Sequence, residues 1–121
     1  MVKDEPKIKR GEIWIADLNP GYEQEIHKKR PVVIISNDAI NKYSPTLIIL
    51  PVTSRVFPLG PEKILLSKKN KKLHKKSAIL ILGIRNIDRN RLIRKISYVD
   101  GENMIEIEDG LKLVLELKEG N

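Results

Sequence analysis

Two side chains of this 121-residue chain stand where phosphate chemistry could be done. Arg30 opens the run Arg30-Pro31-Val32-Val33-Ile34-Ile35-Ser36-Asn37-Asp38, and Thr53 closes the run Leu47-Ile48-Ile49-Leu50-Pro51-Val52-Thr53. Each is a polar residue at the end of an apolar, strand-forming stretch. A guanidinium presents a planar fork of donors that matches non-bridging phosphate oxygens. Pro31 restricts the Arg30 backbone to extended conformations, which helps to aim that fork. A threonine hydroxyl can both donate and accept. Taken singly, these are an ordinary surface arginine and an ordinary strand-end threonine. With a net charge of +7 on the chain, the pair points toward RNA.

That charge is unevenly placed. Residues 100–121 carry seven acids and two bases, a local net of −5, which leaves +12 on residues 1–99. A basic body attracts polyanions at long range, and each phosphate contact makes binding weaken with salt. Cysteine is absent, which removes disulfide frameworks, thiolate catalysis and cysteine-ligated zinc. The opening residues, Met1-Val2-Lys3-Asp4-Glu5-Pro6, lack the apolar run of a secretory signal, and no segment approaches a membrane span. A cytoplasmic protein without a membrane partner is expected.

The elements that must position Arg30 and Thr53 are mostly strands. The length suits one domain, with residues 1–8 as a flexible N-terminus and 9–121 as the domain, folded around a single core. Glu12 to Leu18 is strand-forming and stops at the turn tripeptide Asn19-Pro20-Gly21. Val32 to Ile35 reads as a strand buried on both faces, leaving Arg30 at a loop mouth. Asn41 to Pro45 reads as a loop. Leu47 to Thr53 is a strand which Pro51 should confine to a sheet edge or bulge, since proline cannot donate to a ladder. Strands are also expected at Ile64 to Leu66, Ser77 to Leu82 and Lys95 to Val99, with Gly83 marking a bend and Asp88 to Arg91 a tight turn. From Asp100 onward, Met104, Ile107, Leu111, Val114 and Leu115 recur at helical spacing, while Leu111, Leu113, Leu115 and Leu117 alternate. Length and the Asp100 cap favour a helix, although Gly110 weakens it by about 1 kcal/mol relative to alanine. The sum is a mainly β (α+β) protein, a small, partly open β-barrel with a C-terminal helix.

Lys9-Arg10-Gly11-Glu12-Ile13-Trp14, Asp17-Leu18-Asn19-Pro20, the stretch Arg30 to Asp38, Ser44-Pro45-Thr46, Pro51-Val52-Thr53-Ser54 and Ile84-Arg85-Asn86-Ile87-Asp88 resemble, in order and spacing, the MazF/PemK toxins of toxin–antitoxin pairs. The resemblance implies an SH3-like barrel that forms a homodimer and cleaves single-stranded RNA, such as mRNA, with sequence preference and without metal or other cofactor. It also implies a MazE-like antitoxin as partner. Carried over position by position, the catalytic residues are Arg30 and Thr53.

If the ribose 2′-hydroxyl is the nucleophile, as the resemblance implies, the enzyme must move protons and stabilise the crowded phosphorus. Arginine is a poor base because its pKa lies above about 12. Glu25 is therefore the candidate acid–base group. Gln24, Lys28, Lys29, Asn37, Ser54, Arg55 and Arg85 are the expected RNA contacts. Trp14 is expected in the core, and Arg85 is expected to pair with Asp88 across a turn. His27 and His74 match no position of the pattern.

The chain departs from the pattern in several respects: Glu23-Gln24-Glu25 stands where many members carry Gly-Ser or Gly-His before the glutamate of the first loop. Leu82-Gly83 stands where a polar acidic or amide pair often precedes the Ile-Arg-x-Ile-Asp stretch. The lysine-rich loop from Lys68 to Lys76 is also more basic than the pattern requires, with a role in RNA affinity or in solubility. Two other readings stay open. One is a gyrase-directed toxin on the same barrel, as in the CcdB relatives, disfavoured by the ending Leu117-Lys118-Glu119-Gly120-Asn121. The other is a nucleic-acid-binding barrel that has lost catalysis.

Overall fold

Successive side chains of a strand point to opposite faces, and this chain is apolar on both. In β1 (Glu12–Asp17), Trp14 and Ala16 enter one cluster and Ile13 another. In β2 (Lys29–Ile34), Val32 and Ile34 join the first cluster and Val33 the second, all fully buried. The expected single core is therefore two, one on each face of the sheet. Trp14 is buried as expected, its Nε1–H donating to Glu12 Oε1 at 3.0 Å. The computed structural model describes residues 7–18, 29–66 and 76–118.

The remaining described elements are α1 (Asp38–Tyr43), β3 (Thr46–Thr53), β4 (Lys63–Leu65), β5 (Ala78–Leu80), a 3-10 turn at Ile81–Gly83, β6 (Arg85–Asp88), a second 3-10 turn at Arg89–Arg91, β7 (Leu92–Tyr98) and α2 (Gly101–Leu115). The described strands form one antiparallel sheet in the order β4-β5-β3-β2-β1-β7, with β6 also on β3. The sheet is open. Its mainly β architecture with a closing helix is the expected one.

Four local expectations are corrected. Asn41 to Pro45 is not a plain loop, because α1 occupies most of it. Asn37 Oδ1 accepts the Ile40 N–H at 2.8 Å and caps the helix. Fully buried Asn41 donates to Ser36 O at 2.8 Å and accepts from the Ser36 hydroxyl, which in turn accepts the Ile48 N–H at 3.2 Å. Ile84 to Asp88 is largely strand, because β6 pairs Thr46 to Ile49 of β3. Arg85 and Asp88, three apart in that strand, point to opposite faces and do not pair; Asp88 accepts the Asn90 N–H at 2.9 Å instead. β2 begins at Lys29, so Arg30 lies within a strand, opposite Ala16 of β1.

Pro51, finally, is interior to the sheet. β3 has β2 on one side and, on the other, β6 at Thr46 to Ile49 and β5 at Val52 and Thr53. Pro51 falls in the gap between those two short strands, where the turn Ile81–Gly83 runs and no ladder N–H is required. A Cβ on Gly83 would lie 2.7 Å from Pro51 Cδ and 2.8 Å from Cγ. Glycine is what lets the turn close on the proline ring.

Helix α2 starts as expected, with Asp100 Oδ1 accepting the Asn103 N–H at 2.8 Å. Met104, Ile107, Leu111 and Val114 pack on the second cluster, whereas Leu115 is half exposed, so the helical period is real and the alternating one incidental. A Cβ on Gly110 would lie 3.2 Å from Ile81 Cγ1. The helix gives up propensity there in exchange for close approach to the sheet. Among the described residues no helix is long and apolar enough to cross a membrane.

Candidate active site

The β2–β3 ladder pairs Ile34 with Ile49, Val33 with Leu50 and Val32 with Pro51, then stops. Both strands continue. Arg30 remains paired to Ala16 of β1, and Thr53 to Ala78 of β5. Each strand thus keeps its outer partner while losing the inner one, which leaves a notch between them. Arg30 and Thr53 are each two residues past the last pair, one on either side of the notch. Alternation places both on the face of Val32, Ile34 and Ile49, the face opposite the one α2 covers.

The two side chains differ in how they are held. Arg30 is half-buried, and its Nε is a buried atom with no hydrogen-bond partner among the described residues. Burial holds its guanidinium pKa below the ordinary arginine value. A buried donor left unpaired costs about 1–3 kcal/mol, so this N–H is a group that an acceptor would satisfy at a gain in stability. Thr53 Oγ1 accepts the Arg55 N–H at 3.0 Å. That bond fixes the oxygen and leaves the O–H able to donate. Together the pair offers donors on either side of the point where the β2–β3 ladder ends.

Of the expected contact residues, the structure gathers some and separates others. Lys29, opposite Asp17, and Ser54 and Arg55, directly after Thr53, are exposed beside the notch. Arg85, opposite Ile49, shares its face but lies one strand over and about 13 Å further along β3 from Thr53. Asn37 is at the far end of β2, its side chain engaged in capping α1. At that end Arg10 N–H donates to Asp38 Oδ1 at 2.7 Å and holds the carboxyl below its usual range. Gln24, Glu25, His27, Lys28, His74 and most of the Lys68 to Lys76 loop lie outside the described residues. Among those described, no group of three His, Cys, Asp or Glu side chains is placed to hold a metal.

Composition alone gives no reason to single out Phe57. It sits in the breaker-rich loop after β3, 66 % exposed, next to Val56 at 6 %.

The fold recurs among solved structures. MazF from Deinococcus radiodurans superposes with a TM-score of 0.81 at 21 % identity, over 93 % of this chain and all of that one. An endoribonuclease solved in complex with its cognate antitoxin, from a mycobacterial species, gives 0.76 at 19 %, over 96 % of this chain and 100 % of that one. Mycobacterium tuberculosis toxin MazF-mt6 gives 0.75 at 19 %, over 89 % and 99 %. At such identities the likeness shows a shared fold. The family model described as PemK-like, MazF-like toxin of type II toxin–antitoxin system matches residues 9–115. The chain belongs to the PemK-like, MazF-like toxin family.

Proposed function

We propose that the protein is an endoribonuclease toxin that cuts single-stranded RNA at preferred sequences without a metal, using the substrate's own 2′-hydroxyl. The observation that carries this reading is the buried Nε of Arg30, without a partner among the described residues, at the same step past the last β2–β3 pair as Thr53.

The chemistry asks little of the protein beyond donors and a proton acceptor. The 2′-oxygen attacks the adjacent phosphorus, the bond to the 5′-oxygen of the next nucleotide breaks, and the products are a 2′,3′-cyclic phosphate and a free 5′-hydroxyl. Arg30 binds the non-bridging oxygens, where charge accumulates in the transition state; one such donor is worth about 10²–10³ in rate. Thr53 donates its O–H to the same group or to the departing oxygen. Glu25 takes the 2′ proton, and the departing 5′-oxygen takes one from water. Lys29, Ser54 and Arg55 hold the strand beside the notch, Gln24 and Lys28 extend the contact, and Arg85 meets it further along the same face, while Asn37, capping α1 at the far end of β2, takes no part.

The family is described as the toxin of a type II toxin–antitoxin system, and one structural neighbour is an endoribonuclease solved in complex with its cognate antitoxin. On this reading a MazE-like partner in the cytoplasm neutralises the chain. It acts as a homodimer, in keeping with the exposed Ile105, Leu113, Leu115 and Leu117 on and just after α2.

The test is to map cleaved ends on a long transcript in chelating buffer, with native protein and with Arg30→Ala. Native cuts in single-stranded segments, absent from the variant, support the reading. Cutting that appears only with added divalent metal would overturn it.

A further inference from the structure

Thr53 is the root of a loop, and the loop carries an aromatic side chain that the fold does not use. Phe57 is the only phenylalanine in the chain. At 66 % exposure its ring keeps contact with water, and unlike Tyr43 and Tyr98, also exposed, it has no hydroxyl to satisfy there. Leu59, two residues on, is 54 % exposed. Between Arg55 and Phe57, Val56 is buried and pins the segment to the body. The Thr53 Oγ1 to Arg55 N–H bond, 3.0 Å, pins its start. Pro58 and Pro61 fix two further backbone angles. The outward ring therefore stands on a braced support, with its Cα at most about 14 Å from that of Thr53.

On the reading that Arg30 and Thr53 flank the phosphate to be cut, we infer that Phe57 is a stacking platform for a neighbouring nucleobase, with Arg55 binding the intervening backbone. Every base has an apolar face that an aromatic ring can cover. A phenylalanine beside an exposed arginine offers what an unpaired, charged strand presents in repeat: a flat ring next to a phosphate. The bracing matters because a platform already in place loses little freedom on binding. Phe57 is thus a residue that positions substrate and biases which base lies next to the cut.

Two measurements decide it. In the first, kcat/KM at a mapped RNA site is compared for native protein, Phe57→Ala, Phe57→Leu and Phe57→Tyr, with thermal melting confirming the fold. Stacking requires the alanine and leucine variants to lose about ten- to hundredfold, chiefly through KM, while tyrosine stays near native. Leucine performing as well as phenylalanine, or alanine cutting normally, overturns the inference and leaves the cleavage reading standing. In the second, an oligoribonucleotide with 2-aminopurine at alternate positions is titrated with Arg30→Ala protein, with and without Phe57→Ala. A fluorescence change lost with Phe57 supports stacking even if the native protein proves unable to cleave. An identical change in both overturns it.

Discussion

Arg30 and Thr53 stand at matching positions past the Val32–Pro51 pair, on one face of the sheet, where β2 turns to β1 and β3 turns to β5. The relationship depends on register. Moving either strand by one residue would send its side chain to the other face, where α2 packs. The same apolar runs that bury Val32, Val33 and Ile34 therefore fix which two polar groups meet at the end of the ladder.

Arg30 should be costly to folding and necessary to activity. Arg30→Met keeps the aliphatic stem and removes the unpartnered donor, so thermal melting should show stability unchanged or raised by about 1 kcal/mol. Cleavage should fall by about 10²–10³-fold. A variant that melts early would mean the guanidinium supports the fold rather than a ligand.

At Thr53 the hydroxyl and the shape can be separated. Thr53→Val preserves branching and strand preference but removes the O–H; cleavage should drop by about 10²-fold. Thr53→Ser should recover most of it. Equal rates for valine and threonine would remove the hydroxyl from the mechanism.

Gly83 and Pro51 should behave as one unit. Gly83→Ala drives a methyl into the proline ring and should destabilise by about 1–3 kcal/mol. Adding Pro51→Ala should return part of that loss, a coupling that chemical denaturation of both single variants and the double variant would measure. Strict additivity would mean that the close contact does not constrain the turn.

Asp38 predicts an acid-side effect. Its folded pKa is lowered from 3.8, chiefly by the hydrogen bond from Arg10 N–H. The folded state thus binds fewer protons than the unfolded one as pH falls below that value. The contribution is fully present above pH 3.8 and lost as pH drops through the lower folded value. In Asp38→Asn, melting temperature should decline less steeply with acid than in the native chain. Parallel profiles would count against a role for this carboxyl in acid unfolding.

What the sequence could and could not disclose follows from the range of the forces involved. β1, β2 and β3 are carried by local runs rich in β-branched residues, β7 by alternation that showed only its second half, and α2 by a cap and a period, so their existence was legible. α1 was not, because six residues are too few to show a period, and the Ser36–Asn41 bonds that hold it are tied in turn to β3 through Ile48, twelve residues from Ser36. β6 lacks alternation and is strand only because β3 needs a partner on that edge. Pro51 misled for a related reason, since proline forbids a ladder bond but says nothing of a neighbour that ends beside it. Arg30 and Thr53 could be named from pattern. Their placement across the notch required the pairing of distant strands, and the exposure of Phe57 required the whole surface.

The decisive measurement is cleavage of one mapped phosphodiester in chelating buffer, comparing an RNA with an intact ribose at that position and the same RNA carrying a single 2′-deoxyribose there. Arg30 and Thr53 acting on a substrate that breaks its own chain require the deoxy site to remain uncut while neighbouring ribose sites are still cleaved. Equal cutting of both would contradict it.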